Sequence, residues 1–418
     1  MNAVVPDLFK GVAVVIDNGI GSEELVDKII GNIRTSGGHV ITKLELPEPD
    51  YDLEHFARVS FFIMDWNLKS VDGAPLDATV PMPAGLMKSM IEENIAFLQR
   101  ISASRHAPVV IFTNQEPQEV LDALEADPEL HRRAQANHIL IKRKTEVVDK
   151  LYEVLEGWAK ETPSVLTLKT WERSYLKAAN DLFVDLHDRH TFWPVMMWQT
   201  FDDDETPPAM EMGRLLNRLV ESRMGPLELD LSAFIPVIEE QKATDEAGYR
   251  TSMYKVLEGE RFVRDERLPG NLWAPGDVFA YEPEQGNTTY WMNIRAECDC
   301  LRGNDDLLLY LLQLKKVEDA EKDVDPKFGN FTTEKDNEAI VYAMFDGTTY
   351  SIKFKDMKLK KVKDIKKEFK RVGRLLPPFL TRAQQRYASY VQRPGVPRVP
   401  NVLCPLPDAP EAPEAAAG

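Results

Sequence analysis

VSFFIMDWN, residues 59–67, is the stretch on which the fold turns. Four apolar residues, Phe61–Met64, run straight into Asp65, which is followed by Trp66 and Asn67. A run this short and apolar reads as a strand buried on both faces. An ionised carboxylate is costly to bury unless it is paired, hydrogen-bonded or bound to a metal. Asp65 is therefore either a solvated strand end or one member of a polar site, and the rest of the chain must decide which.

Similar runs recur on both sides of it. GVAVVID (11–17) is valine-rich and also ends on an acid, and HVITKLEL (39–46) reads as a second strand. APVVIFTN (107–114) and NHILIKRK (137–144) are the fourth and fifth. Helical patterns lie between them. In SEELVDKIIGNIRTSGG (22–38), Ser22 is a candidate N-cap, and Leu25, Ile29, Ile30 and Ile33 share a face. EPQEVLDALEA (116–126) and TEVVDKLYEVLEGWAKE (145–161) supply two more helices. Apolar strands alternating with amphipathic helices predict a parallel sheet covered on both faces, with ligands at the carboxyl ends of its strands.

The first, third, fourth and fifth strands then end on Asp17, Asp65, Thr113 and Lys142, all on one rim. Two carboxylates suit a hard divalent cation such as Mg²⁺. A hydroxyl and an ammonium beside them suit phosphoryl oxygens, and a carboxylate can itself act as a nucleophile. On these residues, with VVID, IMDWN, VVIFTN and ILIK at the strand ends, residues 9–160 resemble the receiver domain of two-component response regulators. The resemblance implies a doubly wound, five-stranded α/β fold of flavodoxin-like type with strand order 2-1-3-4-5. It implies that Asp65 is the phosphoacceptor for a histidine kinase and that Thr113 and Lys142 contact the phosphoryl group. It also implies a Mg²⁺ ion on Asp17, Asp65 and the Asn67 carbonyl.

The chain departs from the family pattern at four places. Asn18 stands where a second acid is usual and would ligate Mg²⁺ only weakly, with Glu23 or Glu24 near enough in sequence to compensate. Arg143 stands where a proline usually follows the lysine, and Ile139 where a switching aromatic is common. Asp65 and Thr113 are 48 residues apart, so residues 70–89 read as an insertion over the rim.

Beyond the receiver-like part, residues 161–260 are expected to be mainly helical. Residues 261–392 are expected to form a small β-rich or barrel-like module with a hairpin at DGTT (346–349), a basic segment and a final helix. Residues 393–418 form a Pro/Ala-rich tail, disordered at its end. The basic segment, 353–371, holds ten Lys and Arg residues, but a solvated face or an acidic partner suits it better than nucleic acid. A net charge of −17 argues against nucleic-acid affinity over the whole surface.

Three cysteines do not make a disulfide framework, and no apolar run approaches a bilayer span, so a cytoplasmic protein is expected. HDRH (187–190) and DDDE (202–205) read as surface, and CDC (298–300) as the end of a strand with buried small residues. No enzymatic output signature follows residue 160. The chain thus resembles a signal intermediate or phosphate sink, like the buffering receiver protein of Detocs-like anti-phage systems, sharing its kinase with a second receiver or effector. Receivers also often pair as homodimers. The alternatives are a pseudo-receiver scaffold that carries no phosphate and a regulator that binds nucleic acid through the basic segment.

Overall fold

The computed structural model describes residues 8–394 apart from 57, 69, 72–73, 76–83, 105–107, 115, 131–138, 271, 325–326 and 328–336, together with residues 400 and 403. Part of the 70–89 insertion and most of the Pro/Ala-rich tail thus lie outside the described residues. Two compact units emerge, Met1–Pro194 with Gly213–Ile238, and Val195–Met212 with Glu239–Gly418.

The first unit is built on five strands, β1 (Val12–Ile16), β2 (His39–Lys43), β3 (Val59–Asp65), β4 (Val109–Thr113) and β5 (Ile139–Arg143). They pair in the order β2-β1-β3-β4-β5, all parallel. Every residue of β3 is buried, as its unbroken apolar run demands. Alternation sorts the side chains into two cores. Ala13, Val15, Phe61, Ile63 and Phe112 pack with α1 (Glu24–Thr35) and a C-terminal helix (Leu151–Glu161). Val14, Ile16, Phe62, Met64 and Ile111 pack with α2 (Ala84–Ser104) and α3 (Pro117–Glu125). A short helix, α4 (Lys144–Val147), follows β5 directly, and the Leu151–Glu161 helix is α5.

Two local expectations are revised. Glu23, not Ser22, is the N-cap of α1 and makes no side-chain cap; Ser22 instead donates to the Gly19 carbonyl. The crossover from β2 to β3 forms no α-helix among its described residues, only a single 3₁₀ turn at Leu53–Phe56.

The first unit also runs past the boundary read at residue 160. Helix α6 (Pro163–Arg189) buries Val165 in the α1–α5 core. Its Lys169, nearly inaccessible, donates to the Ser60 carbonyl at 3.1 Å. Further along, Ala178 and Leu182 pack on Val220 of a later helix. After α6 come α7 (Trp193–Asp203), α8 (Pro208–Glu221), α9 (Ile235–Thr244) and α10 (Glu246–Arg261), so residues 161–260 are mainly helical.

The second unit centres on β6 (Phe262–Arg264), β7 (Asp277–Tyr281), β8 (Thr289–Asn293), β9 (Leu308–Lys316), β10 (Glu338–Phe345), β11 (Thr348–Lys361) and β12 (Phe369–Leu375). They form an antiparallel sheet in the order β10-β11-β9-β8-β7-β12-β6. The sheet is open, not barrel-like, because β10 and β6 are its edges among the described residues. Asp346 and Gly347, both at positive φ, make the two-residue turn between β10 and β11, as DGTT predicts. CDC begins no strand end: it lies in α11 (Glu297–Arg302), with Cys300 buried and its thiol pushed up to about 11 by burial. One sheet face packs against α13 (Phe379–Gln392) through Leu380 and Ala383, the other against α12 (Val362–Glu368) through Val362 and Ile365. Among the tryptophans, Trp291 is buried and Trp193 and Trp273 half-buried, whereas Trp198 is exposed.

Gly276 enters β7 at φ +88° and hydrogen-bonds Asn293 and Leu375 through its backbone. A Cβ there would collide with the Leu375 carbonyl oxygen. Gly276→Ala is expected to cost about 2 kcal/mol, from left-handed backbone and overpacking together. Urea unfolding followed by tryptophan fluorescence checks it, and an unchanged midpoint would contradict it.

Candidate functional site

Strand alternation carries Asp17 and Asp65 to the same side of the carboxyl rim, because Ala13, Val15, Phe61 and Ile63 of that parity all enter the α1–α5 core. Asp17 and Asp65 are only 2% and 4% exposed. The ammonium that reaches them belongs to Lys144. Its Nζ lies 2.9 Å from Asp17 Oδ2, 3.1 Å from Asp65 Oδ2 and 2.8 Å from Glu23 Oε2. The side chain is 1% exposed.

Lys142, the sequence-based candidate, sits elsewhere. It pairs within β5 opposite Phe112, the residue that also faces Asp65, and is half-buried. The rim lies two residues further along the chain, where Lys144 leaves the strand and opens α4. Two lysines of equal parity, in ILIKRK, made the choice invisible in sequence. Arg143 between them turns away to pair with Glu116.

The remaining candidates are placed as follows. Thr113 ends β4 one residue beyond the Asp65 partner Phe112 and is fully buried. Asn67 and Asn18 are half-buried on the loops that follow β3 and β1. Of the two acids weighed against the Asn18 departure, Glu23 joins the site, held also by Asn114 Nδ2 at 3.3 Å. Glu24 instead pairs with Lys28 on the surface of α1. Gly19 fixes the first carboxylate, its N–H donating to Asp17 Oδ1 at 2.7 Å.

Three carboxylates around one ammonium leave the cluster short of positive charge, and burial makes that shortage costly. Burial raises the Asp65 carboxyl to about 6; Lys144 pulls it back, and Asp17 adds to the rise. Burial likewise raises Asp17, against the pull of Lys144. Lys144 loses to burial but gains more from Asp65 and Asp17, so its pKa stands above the ordinary lysine value.

The donor chemistry matches Mg²⁺, being all hard oxygen. Asp65 Oδ1 and Asn67 Oδ1 are buried and without a hydrogen-bond partner among the described residues, which leaves donors for a cation. No three of the described acids and histidines are arranged to hold a metal as they stand. The carboxylates converge on Lys144 instead, so a divalent ion must displace that ammonium from at least part of its cage. At HDRH, His190 accepts from the Phe192 N–H, and at CDC Cys298 is exposed; neither adds ligands to a metal cluster.

The basic segment is threaded with ion pairs inside its own unit. Lys360 meets Glu368, Lys361 and Lys363 meet Asp306, and Lys366 meets Asp305. No helix among the described residues is long and apolar enough to cross a membrane. Comparison with protein-family models, with curated proteins and with solved structures gave no match.

Proposed function

We propose that the first unit is a receiver-like phosphoacceptor whose nucleophile is Asp65. The observation that carries this is the Lys144 ammonium bridging two strand-end carboxylates, Asp17 and Asp65, beside the buried Thr113 at the carboxyl rim of a 2-1-3-4-5 sheet. An Asp65 carboxylate oxygen attacks the phosphorus of a phosphohistidine on a partner kinase. The O–P bond forms as the P–N bond breaks, and the departing imidazole takes its proton from solvent. Lys144 offsets charge on the phosphoryl oxygens, and the Thr113 hydroxyl donates to one of them. Asp17, Asp65 and Asn67 would hold Mg²⁺, with Glu23 supplying the acid that Asn18 does not. Bound there, the ion would neutralise phosphoryl charge.

With Lys144 in this role, the position three residues earlier is Ile141, aliphatic like Ile139, and the residue that follows is Thr145 rather than proline. The aromatic switch of the family is absent under either assignment. That favours a signal intermediate or phosphate sink, in the manner of a buffering receiver in anti-phage signalling, over a regulator with an aromatic-coupled output. The ion-paired lysines of 353–371 weigh against nucleic acid as the partner.

A second reading, a pseudo-receiver scaffold, is favoured by the burial of Asp65 under the Lys144 contact. Incubation with acetyl phosphate and Mg²⁺, read by intact mass, separates the two. A single phosphoryl adduct is expected in the wild type and none in Asp65→Asn. No adduct in the wild type, or one that survives Asp65→Asn, would sink the phosphoacceptor reading.

A further inference from the structure

Helix α2 carries a fully buried amide, Asn94, on the face where Met90, Phe97, Leu98 and Ile101 are buried apolar residues. Its Nδ2 donates to the Trp66 carbonyl at 2.7 Å, and its Oδ1 has no hydrogen-bond partner among the described residues. A buried amide with one half unpaired costs stability that a leucine at the same place would not. Packing alone therefore does not account for asparagine here. Its one hydrogen bond does.

That bond falls on the peptide that follows the nucleophile. The ladder between β3 and β4 stops at Asp65, opposite Phe112, so no paired strand fixes the Trp66–Asn67 peptide. Asn94 supplies the tether instead, and Trp66 is itself only 2% exposed. A trans peptide is planar, with its C=O and N–H pointing in opposite directions. Holding the Trp66 carbonyl toward α2 thus turns the Asn67 N–H back toward the strand end. Burial raises the Asp65 carboxyl, and the Asn67 N–H is among the groups that pull it back, so that N–H faces the carboxylate.

We propose that Asn94 is a positioning residue for phosphoryl transfer: it locks the Trp66–Asn67 peptide, and the peptide's N–H orients the Asp65 carboxylate for attack. The proposal rests on Asp65 being the phosphoacceptor. Asn94 acts through the peptide and not on the phosphodonor. It does for the loop after β3 what the Gly19 N–H, bound to Asp17, does for the loop after β1.

The rate of adduct formation with acetyl phosphate and Mg²⁺, followed by intact mass over a range of donor concentrations, tests this. Asn94→Leu keeps the bulk and loses the donor. Its maximal rate is expected to fall by about tenfold or more, since small misplacements of a reacting group are costly, with the half-saturating acetyl phosphate unchanged. Met90→Ala, one turn earlier on the same face, strips buried apolar contacts but leaves the Trp66 carbonyl bonded. Measured where it is fully folded, it should keep the wild-type rate. Should Asn94→Leu fail to fold, Asn94→Ala, which adds no bulk, makes the same comparison. A wild-type adduct that the Asn94 variant forms just as fast would overturn the proposal and leave the reading of Asp65 standing. So would a loss of rate matched by Met90→Ala, the mark of a merely structural role. No adduct in the wild type would overturn both.

Discussion

Lys144→Met is expected to lower the stability of the first unit by about 3–5 kcal/mol at pH 7 in the absence of divalent ions, the cost of stripping the partner from buried charges. Methionine fills nearly the same volume, so packing loss contributes little. What remains is Asp17, Asp65 and Glu23 facing one another without the cation that all three touch in the wild type. Asp17 and Asp65, both already raised by burial, will take up protons, or the cluster a metal. The same variant should therefore bind Mg²⁺ more tightly than the wild type, because no ammonium has to be displaced, and Mg²⁺ should recover much of its lost stability. Thermal unfolding with and without Mg²⁺ checks both parts. Lys142→Met, at a half-buried position outside the cluster, should stay within about 1 kcal/mol of the wild type. Equal effects of the two substitutions would show that Lys144 is not the cluster's cation.

Asp65→Asn is expected to change the pH dependence of folding. The Asp65 carboxyl is held at about 6, above its ordinary 3.8. The folded state therefore binds that proton more tightly than the unfolded chain. The resulting stabilisation is fully present below about pH 4 and is lost as pH rises through about 6, at up to about 1.4 kcal/mol per unit. Asparagine does not titrate, so the variant should gain on the wild type by a few kcal/mol between pH 4 and 7. Urea unfolding of both proteins across that window, with a chelator present, gives the difference directly. A difference that stays flat would mean that Asp65 remains ionised throughout. Above neutrality the curves should run parallel up to the ordinary lysine range, where the unfolded chain starts to release the Lys144 proton that the folded state still holds.

Much of the first sheet is legible in the chain because its signals are local. The five strands, the faces of α1 and α5, and the acids that close β1 and β3 all follow from apolar runs and their spacing. The DGTT turn is legible for the same reason, since two residues at positive φ suffice to fix a hairpin. The α11 helix at CDC was not, because six residues carry too little periodicity to outvote the apolar run before them. Nor was the attachment of α6 to the first unit: Lys169 finds its partners in Phe9 and Ser60, far away in sequence.

The site divides along the same line. Residue type and strand order by themselves determined that Asp17, Asp65 and Thr113 end neighbouring strands, because a strand's end is written where its apolar run stops. Which lysine meets them was a matter of tertiary structure alone. Lys142 and Lys144 share parity and chemistry, and only the height of the rim relative to β4 distinguishes them. Glu23 enters from the N-terminus of α1, and the β2–β3 crossover carries a 3₁₀ turn at Leu53–Phe56 with no α-helix among its described residues. Both are consequences of how elements pack, and packing depends on contacts between residues that sequence spacing does not relate.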